Sequence, residues 1–109
     1  MKFGLTEKTY DLLIKTLSNY NEIEKVCVFG SRAMDNYKKG SDIDICIYGI
    51  YGKLVTEKTI SKLNVELNEN LPVPHYFDII HYNNIENNSL KQHIDKEGKD
   101  LYYRQLESE

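Results

Sequence analysis

The sequence predicts an α/β domain with a small sheet of three or four strands, and we expect residues 1–109 to form one unit. Two observations carry this prediction. Apolar residues recur at helical spacing in two segments, and they alternate strictly with polar residues over residues 42–48. The predicted elements follow in the order helix, strand, short helix, strand, helix, strand, helix, which is typical of an α/β domain.

The first half of the chain predicts a helix and two strands. Thr6 is a candidate N-cap, and the buried side of the helix that follows consists of Tyr10, Leu13, Ile14 and Leu17. Residues 25–29 are apolar and β-branched, as in a buried strand, and this segment ends at Gly30-Ser31. Residues 32–40 are polar and predict a short helix followed by a loop. Residues 42–48 then form the clearest strand, with three isoleucines on one face.

The second half predicts two helices and a third strand. Thr56 caps a helix whose buried side consists of Ile60, Leu63, Leu67 and Leu71. Pro72 and Pro74 stop this helix, and residues 76–81 form the third strand.

The last segments of the chain have weaker signals. Asn83 and Glu86 have the spacing of a capping box for a final helix, which Gly98 would end. Residues 100–104 predict an extended or helical tail, and residues 107–109 a frayed end.

Composition excludes several classes of protein. The net charge of −3 argues against a broad surface for duplex nucleic acid, which needs an excess of Lys and Arg. No apolar run reaches the roughly 18 residues of a membrane span, and the N-terminus lacks the apolar region of a signal peptide. A cytoplasmic location is the expectation. Cys27 and Cys46 predict buried, reduced cysteines, too few for a structural zinc site.

Carboxylates inside two predicted strands are the first chemical signal. Asp42 and Asp44 are two residues apart on a strand, so their side chains share a face and repel each other unless a cation lies between them. Mg²⁺ prefers such oxygen ligands. Asp78 lies in the third strand and joins the same cluster if that strand pairs beside the second. Three carboxylates on adjacent strands are suited to a two-metal site.

A glycine turn after the first predicted strand is the second signal. A strand that runs into Gly30 and then a helical turn exposes backbone N–H groups to a phosphate, and Ser31 adds a hydroxyl group. Arg32 is the nearest cation, although an exposed arginine is more often a surface charge. Lys38 and Lys39 are interpreted as a solvated pair.

Together these motifs resemble the signature of the DNA-polymerase-β-like nucleotidyltransferases. The matching segments are residues 29–33, Phe-Gly-Ser-Arg-Ala, and residues 40–45, Gly-Ser-Asp-Ile-Asp-Ile. The resemblance is closest to the minimal (MNT) members and extends to residues 71–74, Asp78 and residues 93–98. It implies a small mixed sheet of three to four strands with helices packed on one face.

The resemblance also implies roles for individual residues. Gly30 and Ser31 would hold the triphosphate of ATP, with Arg32 and Ser41 as further nucleotide-binding residues. Two Mg²⁺ ions would be bound by three catalytic carboxylates, Asp42, Asp44 and Asp78. Asp78 would also serve as the base for the acceptor hydroxyl. His81 departs from the acid found there in many relatives, and we interpret it as structural.

The sequence shows no lobe for an acceptor. Minimal members of the family are typically paired with a small helical HEPN or substrate-binding protein encoded nearby, and the resemblance implies an antitoxin that adenylylates a tyrosine of a HEPN toxin. One alternative is an enzyme of the antibiotic-nucleotidylating type, such as one acting on an aminoglycoside, assembled with a separate subunit or as a homo-oligomer. Another is a catalytically silent module that binds its partner, and a third is an α/β domain with a solvated acidic face.

Overall fold

A computed structural model describes residues 2–105 of the chain. The predicted frayed end, residues 107–109, lies outside the described residues. The helices are α1 (Glu7–Ser18), α2 (Glu57–Val65) and α3 (Asn88–Glu97), and the strands are β1 (Ile23–Phe29), β2 (Ile43–Gly49), β3 (Phe77–His81) and β4 (Lys99–Tyr103). Within residues 2–105, no helix is both long and apolar enough to cross a membrane.

The four strands form one mixed sheet in the order β3-β2-β1-β4. β1 is antiparallel to both β2 and β4, whereas β2 and β3 are parallel. A parallel pair needs a crossover connection, and α2 lies in that connection. The predicted α/β fold with a small mixed sheet is confirmed. The tail that was expected to be extended or helical is extended, because β4 pairs with the outer edge of β1.

The main core lies between one face of the sheet and the helices α1 and α2. Ile43, Ile45 and Ile47 are fully buried there, as the alternation of β2 predicted. The residues that α1 and α2 bury in this cluster include Leu13, Leu17 and Leu63. Thr6 and Thr56 cap these helices as expected, since each side chain accepts a hydrogen bond from the backbone N–H three residues later.

One detail of the helix packing differs from the sequence expectation. We expected the helices on one face, but α3 packs on the opposite face, where Ile94 contacts the cluster of Cys27, Phe29 and Cys46. The reason is that β1 and β2 are the two central strands, so both of their faces need an apolar cover. Cys27 and Cys46 are buried and free of disulfide bonds, as predicted.

The cap of α3 is not where the sequence indicated. Asn87 is the N-cap, and its side chain accepts a hydrogen bond from the Leu90 N–H at 3.1 Å. The predicted cap, Asn83, instead accepts from the Gly49 N–H at 3.0 Å and donates to the Gly52 carbonyl at 3.1 Å. These tertiary bonds fix the turn after β2, and a local capping pattern cannot reveal them. Gly98 does end the helix.

Two further segments position the strands that carry the acids. We expected a short helix followed by a loop within residues 32–40. The structure has a single 3₁₀ turn at Gly30–Arg32 instead, and a loop follows it. Asn68, in the π-helical turn Glu66–Asn70 after α2, holds both backbone groups of Phe77. Its amide donates to the Phe77 carbonyl at 2.9 Å and accepts from the Phe77 N–H at 2.7 Å. This clamp fixes the start of β3 immediately before Asp78.

Candidate active site

Asp44 and Asp78 lie side by side on adjacent strands. They are register partners in the parallel β2–β3 pair, so their side chains leave the same face of the sheet. The alternating isoleucines of β2 point to the other face, into the main core. The sequence predicted that Asp78 would join the acidic cluster if its strand paired beside the second predicted strand. The structure has this pairing.

Asp42 lies just before β2 and is exposed, whereas Asp44 is half-buried. The pKa of Asp44 is raised above its ordinary value, first by burial and then by the negative charges of Asp78 and Asp42. In the part of the chain that the structure describes, the single ion pair joins Lys25 and Asp100, so none of the three acids has an ion-pair partner there. Among these residues the site therefore concentrates negative charge.

The three carboxylates are suited to a divalent cation, but they are not gathered into a finished site. Over residues 2–105, no group of three or more Asp, Glu, His or Cys side chains is arranged closely enough to hold a metal ion. Carboxylate oxygens are the ligands that Mg²⁺ prefers, and a cation between them would offset their mutual repulsion. The donor set therefore fits Mg²⁺ chemically.

The raised pKa of Asp44 predicts how the stability of the metal-free protein depends on pH. Because the folded-state pKa lies above the unfolded one, the proton on Asp44 stabilises the fold at low pH. That contribution is lost as the pH rises through the folded-state pKa. At neutral pH, Mg²⁺ should raise the midpoint of thermal unfolding, because it binds the folded state and offsets the repulsion. Melting curves with and without Mg²⁺ measure this, and an equal rise in Asp44→Asn would contradict it.

Gly30 is the residue that brings a backbone turn against this acidic face. It follows Phe29, which is the register partner of Asp44 in the β1–β2 pair. Its φ of +74° lies in the left-handed region, and a Cβ placed on it would overlap a carboxylate oxygen of Asp44. The backbone conformation therefore favours glycine here, and a side chain at this position would displace the Asp44 carboxylate.

Ser31, Arg32 and Ser41 lie close to this turn in different environments. Ser31 is half-buried in the turn, and its carbonyl accepts from the Asn36 N–H at 3.1 Å. Arg32 is buried, with 4% of its surface exposed, and was expected on the surface or against a nucleotide. The Ser41 hydroxyl oxygen is buried without a hydrogen-bond partner among the described residues.

Other residues near the site gave little signal in the sequence. The Arg32 guanidinium carbon lies 4.5 Å from the centre of the Tyr37 ring. A Cβ placed on Gly4 would lie 2.6 Å from a guanidinium nitrogen of Arg32 and 2.6 Å from the Tyr37 hydroxyl oxygen. Neither residue belongs to a motif that could have revealed it: the Gly4 contact joins distant segments, and Tyr37 lies in a loop without a periodic pattern. His81 is structural as interpreted, since its Nε2 accepts from the Val55 N–H at 3.1 Å.

The comparisons with known proteins agree with this geometry. The family model described as "Polymerase beta, Nucleotidyltransferase" matches residues 11–107. No curated protein sequence matches the chain.

Several solved structures share the fold. One is described as a toxin-antitoxin with AMP-PNP, at 22% identity and a TM-score of 0.67, covering 93% of this chain and 76% of that one. Another is the toxin-antitoxin MntA-HepT, at 20% identity and a TM-score of 0.64, covering 91% and 74%. A third is a tri-AMPylated Shewanella oneidensis HEPN toxin in complex with MNT antitoxin, at 19% identity and a TM-score of 0.66, covering 92% and 74%.

The family match includes every predicted site residue, from Gly30 to Asp78, and covers most of the chain. The similar structures add agreement in fold at low sequence identity. The chain belongs to the polymerase β nucleotidyltransferase family and is a nucleotidyltransferase.

Proposed function

We propose that the protein transfers AMP from ATP to a hydroxyl group, with Mg²⁺, and that the acceptor is a tyrosine of a HEPN-type partner. The observation that carries the proposal is the contact between the Gly30 turn and the Asp44 carboxylate, with Asp78 in register beside it. In this proposal the Gly30 turn binds phosphate, and it lies against carboxylates that have no ion-pair partner among the described residues. Nucleotidyl transfer needs these two parts together.

The residues have distinct roles in this proposal. Gly30 lets the backbone approach the triphosphate, and Ser31 donates its hydroxyl to a phosphate oxygen. Asp42 and Asp44 hold both metal ions, and Asp78 completes the ligands of one. When bound, the ions would neutralise the charge on the triphosphate and lower the pKa of the attacking hydroxyl.

The transfer itself is a displacement at the α-phosphorus of ATP. The acceptor oxygen forms a bond to that phosphorus while the bond to the oxygen that bridges to the β-phosphate breaks, so pyrophosphate leaves. The hydroxyl proton passes to Asp78, which is exposed and therefore open to an acceptor from solvent. The half-buried Asp44 is better placed as a ligand than as a base.

The acceptor class is supported by the similar structures rather than by a pocket in this chain. One of them holds a tri-AMPylated HEPN toxin with an MNT antitoxin, and another holds AMP-PNP. The exposed position of Asp78 suits an acceptor presented by a second protein. We therefore place the protein in a toxin-antitoxin pair, as the antitoxin.

Labelled ATP distinguishes this proposal from its alternatives. The purified chain is incubated with Mg²⁺, ATP labelled at the α-phosphate and a HEPN-type protein as the candidate partner, and a parallel reaction contains an aminoglycoside instead. We expect label on a tyrosine of the partner, located by peptide mass spectrometry. Label on the aminoglycoside would instead support the antibiotic-modifying enzyme. A stable complex without label would overturn the proposal in favour of a silent binding module.

A further inference from the structure

We infer that Arg32 is a positioning residue for nucleotidyl transfer, which acts by fixing the backbone that carries Asp42. The inference rests on the proposed function, because it assigns Asp42 to the metal site. It replaces the sequence expectation that Arg32 contacts the nucleotide. Three observations support it: the burial of the guanidinium, its backbone partners, and the position of Asp42 outside strand β2.

The guanidinium of Arg32 is buried without an acidic partner. Only 4% of the residue is exposed, and among residues 2–105 no carboxylate lies within ion-pairing distance of it. Its Nε is buried without a hydrogen-bond partner among the same residues. Burial of a charge that is not paired with an opposite charge is costly. Stability alone does not account for an arginine at this position.

The two terminal nitrogens of the guanidinium join segments that are distant in sequence. NH1 donates to the Phe3 carbonyl at 3.0 Å, and NH2 donates to the Ser41 carbonyl at 2.8 Å. Tyr37 stacks on the guanidinium plane at 4.5 Å. Arg32 itself belongs to the turn Gly30–Arg32. Its side chain therefore connects this turn to the N-terminal segment at Phe3 and to Ser41, the residue before Asp42.

Asp42 depends on its neighbours for its position. It is exposed and precedes β2, so no strand pairing holds it. The Ser41 carbonyl and the Asp42 nitrogen share one planar peptide unit, so the bond from Arg32 fixes the plane from which Asp42 begins. On the other side, the Ile43 N–H donates to the Tyr76 carbonyl at 2.9 Å. On the Ser41 side, the Ser41 N–H donates to the Lys38 carbonyl at 3.0 Å, and Arg32 holds the Ser41 carbonyl, which belongs to the same peptide unit as the Asp42 nitrogen.

Lysine cannot replace this function, although it retains the charge. Its single ammonium group lacks the planar fork that reaches two carbonyls at fixed directions. Arg32→Lys therefore separates positioning from simple attraction of a phosphate. Arg104 is the matched control, because its guanidinium also bonds to backbone carbonyls, those of Ile23, Ser18 and Tyr20, and lies at the end of β4.

The first test compares kinetics of AMP transfer in wild type, Arg32→Lys and Arg104→Lys, at a temperature where each is folded. We expect Arg32→Lys to lower kcat by about 10- to 100-fold with KM for ATP nearly unchanged, since it acts on the residue that holds a ligand. Arg104→Lys should keep both constants. A raised KM at constant kcat would instead assign Arg32 to the nucleotide. Equal losses in both variants would reduce Arg32 to a stability residue, and either result overturns the inference.

The second test does not depend on turnover. Mn²⁺ binding is measured by electron paramagnetic resonance in the presence of an ATP analogue with a methylene group between the α- and β-phosphates. We expect Arg32→Lys to weaken the affinity for Mn²⁺ by about tenfold and Arg104→Lys to leave that affinity unchanged. Unchanged Mn²⁺ affinity in Arg32→Lys would overturn the inference. If the wild type binds Mn²⁺ but transfers no AMP, the proposed function fails while this comparison still decides the role of Arg32.

A second variant keeps the inference testable if Arg32→Lys does not fold. A Cβ on Gly4 would meet NH1 of Arg32 and the Tyr37 hydroxyl, both at 2.6 Å. Gly4→Ala therefore crowds the guanidinium from the N-terminal side and leaves the arginine and the Gly30 turn unchanged in sequence. Because the φ of Gly4 is +75°, the change also costs stability, and Gly52→Ala, at a φ of +73° with open space around its Cβ, is the control for that cost. We expect Gly4→Ala to lower the affinity for Mn²⁺, as Arg32→Lys does. Full Mn²⁺ affinity in a folded Gly4→Ala protein would contradict the role of this contact.

Discussion

Asp44→Asn is expected to lower the rate of nucleotidyl transfer by at least about 10³-fold, because the metal loses several kcal/mol of transition-state stabilisation without this ligand. Asp42→Asn should have the same effect on transfer. The fold should survive both changes. For Asp44 the raised pKa shows that its ionised form is unfavourable in the metal-free fold, so the neutral amide should not lower the free energy of unfolding.

The measurement is transfer of labelled AMP, together with urea unfolding in the absence of metal. Asp100→Asn is the matched control, because it removes a carboxylate of β4 whose side chain is 72% exposed. The nearest cation is the Lys25 Nζ, 3.9 Å from Asp100 Oδ1. The effect of Asp100→Asn on transfer should stay within about twofold, as for most surface changes. Unchanged transfer by folded Asp42→Asn or Asp44→Asn would exclude the two-metal assignment.

Gly30→Ala is the second change with a large expected effect. Its φ of +74° costs a residue with a side chain about 1–3 kcal/mol, and the new Cβ would overlap the Asp44 carboxylate. Either the carboxylate or the turn must move. We expect a loss of transfer of about 100-fold or more, since displacement by about 1 Å has effects of that order. The midpoint of thermal unfolding should also fall.

Gly52→Ala separates the two causes of this effect. Gly52 has a nearly identical φ of +73°, but a Cβ there meets open space. It should therefore lower stability through the backbone alone and leave transfer unchanged. If Gly30→Ala retained the transfer rate of Gly52→Ala at equal folded fraction, the contact between the glycine turn and Asp44 would have no role in the reaction.

The local patterns predicted the elements well where the signal is short in range. The isoleucine alternation of β2 and the threonine caps of α1 and α2 depend on neighbours within a few residues, and the structure has them as expected. The cap of α3 was wrong because Asn83 is used in tertiary hydrogen bonds to Gly49 and Gly52. A polar side chain can satisfy a local or a distant partner, and spacing does not distinguish the two.

The order of residues was sufficient to predict the fold class and the types of residue available for the site: a glycine turn, alternating carboxylates and a third acid in another strand. These follow from periodicity and side-chain chemistry, which the order of residues contains. Three features emerged from the folded chain alone: Asp78 is the register partner of Asp44, Gly30 lies against Asp44, and Arg32 is buried against Phe3 and Ser41. Strand register is set by which faces are buried and by how the strands are connected, and both depend on segments that are far apart in sequence.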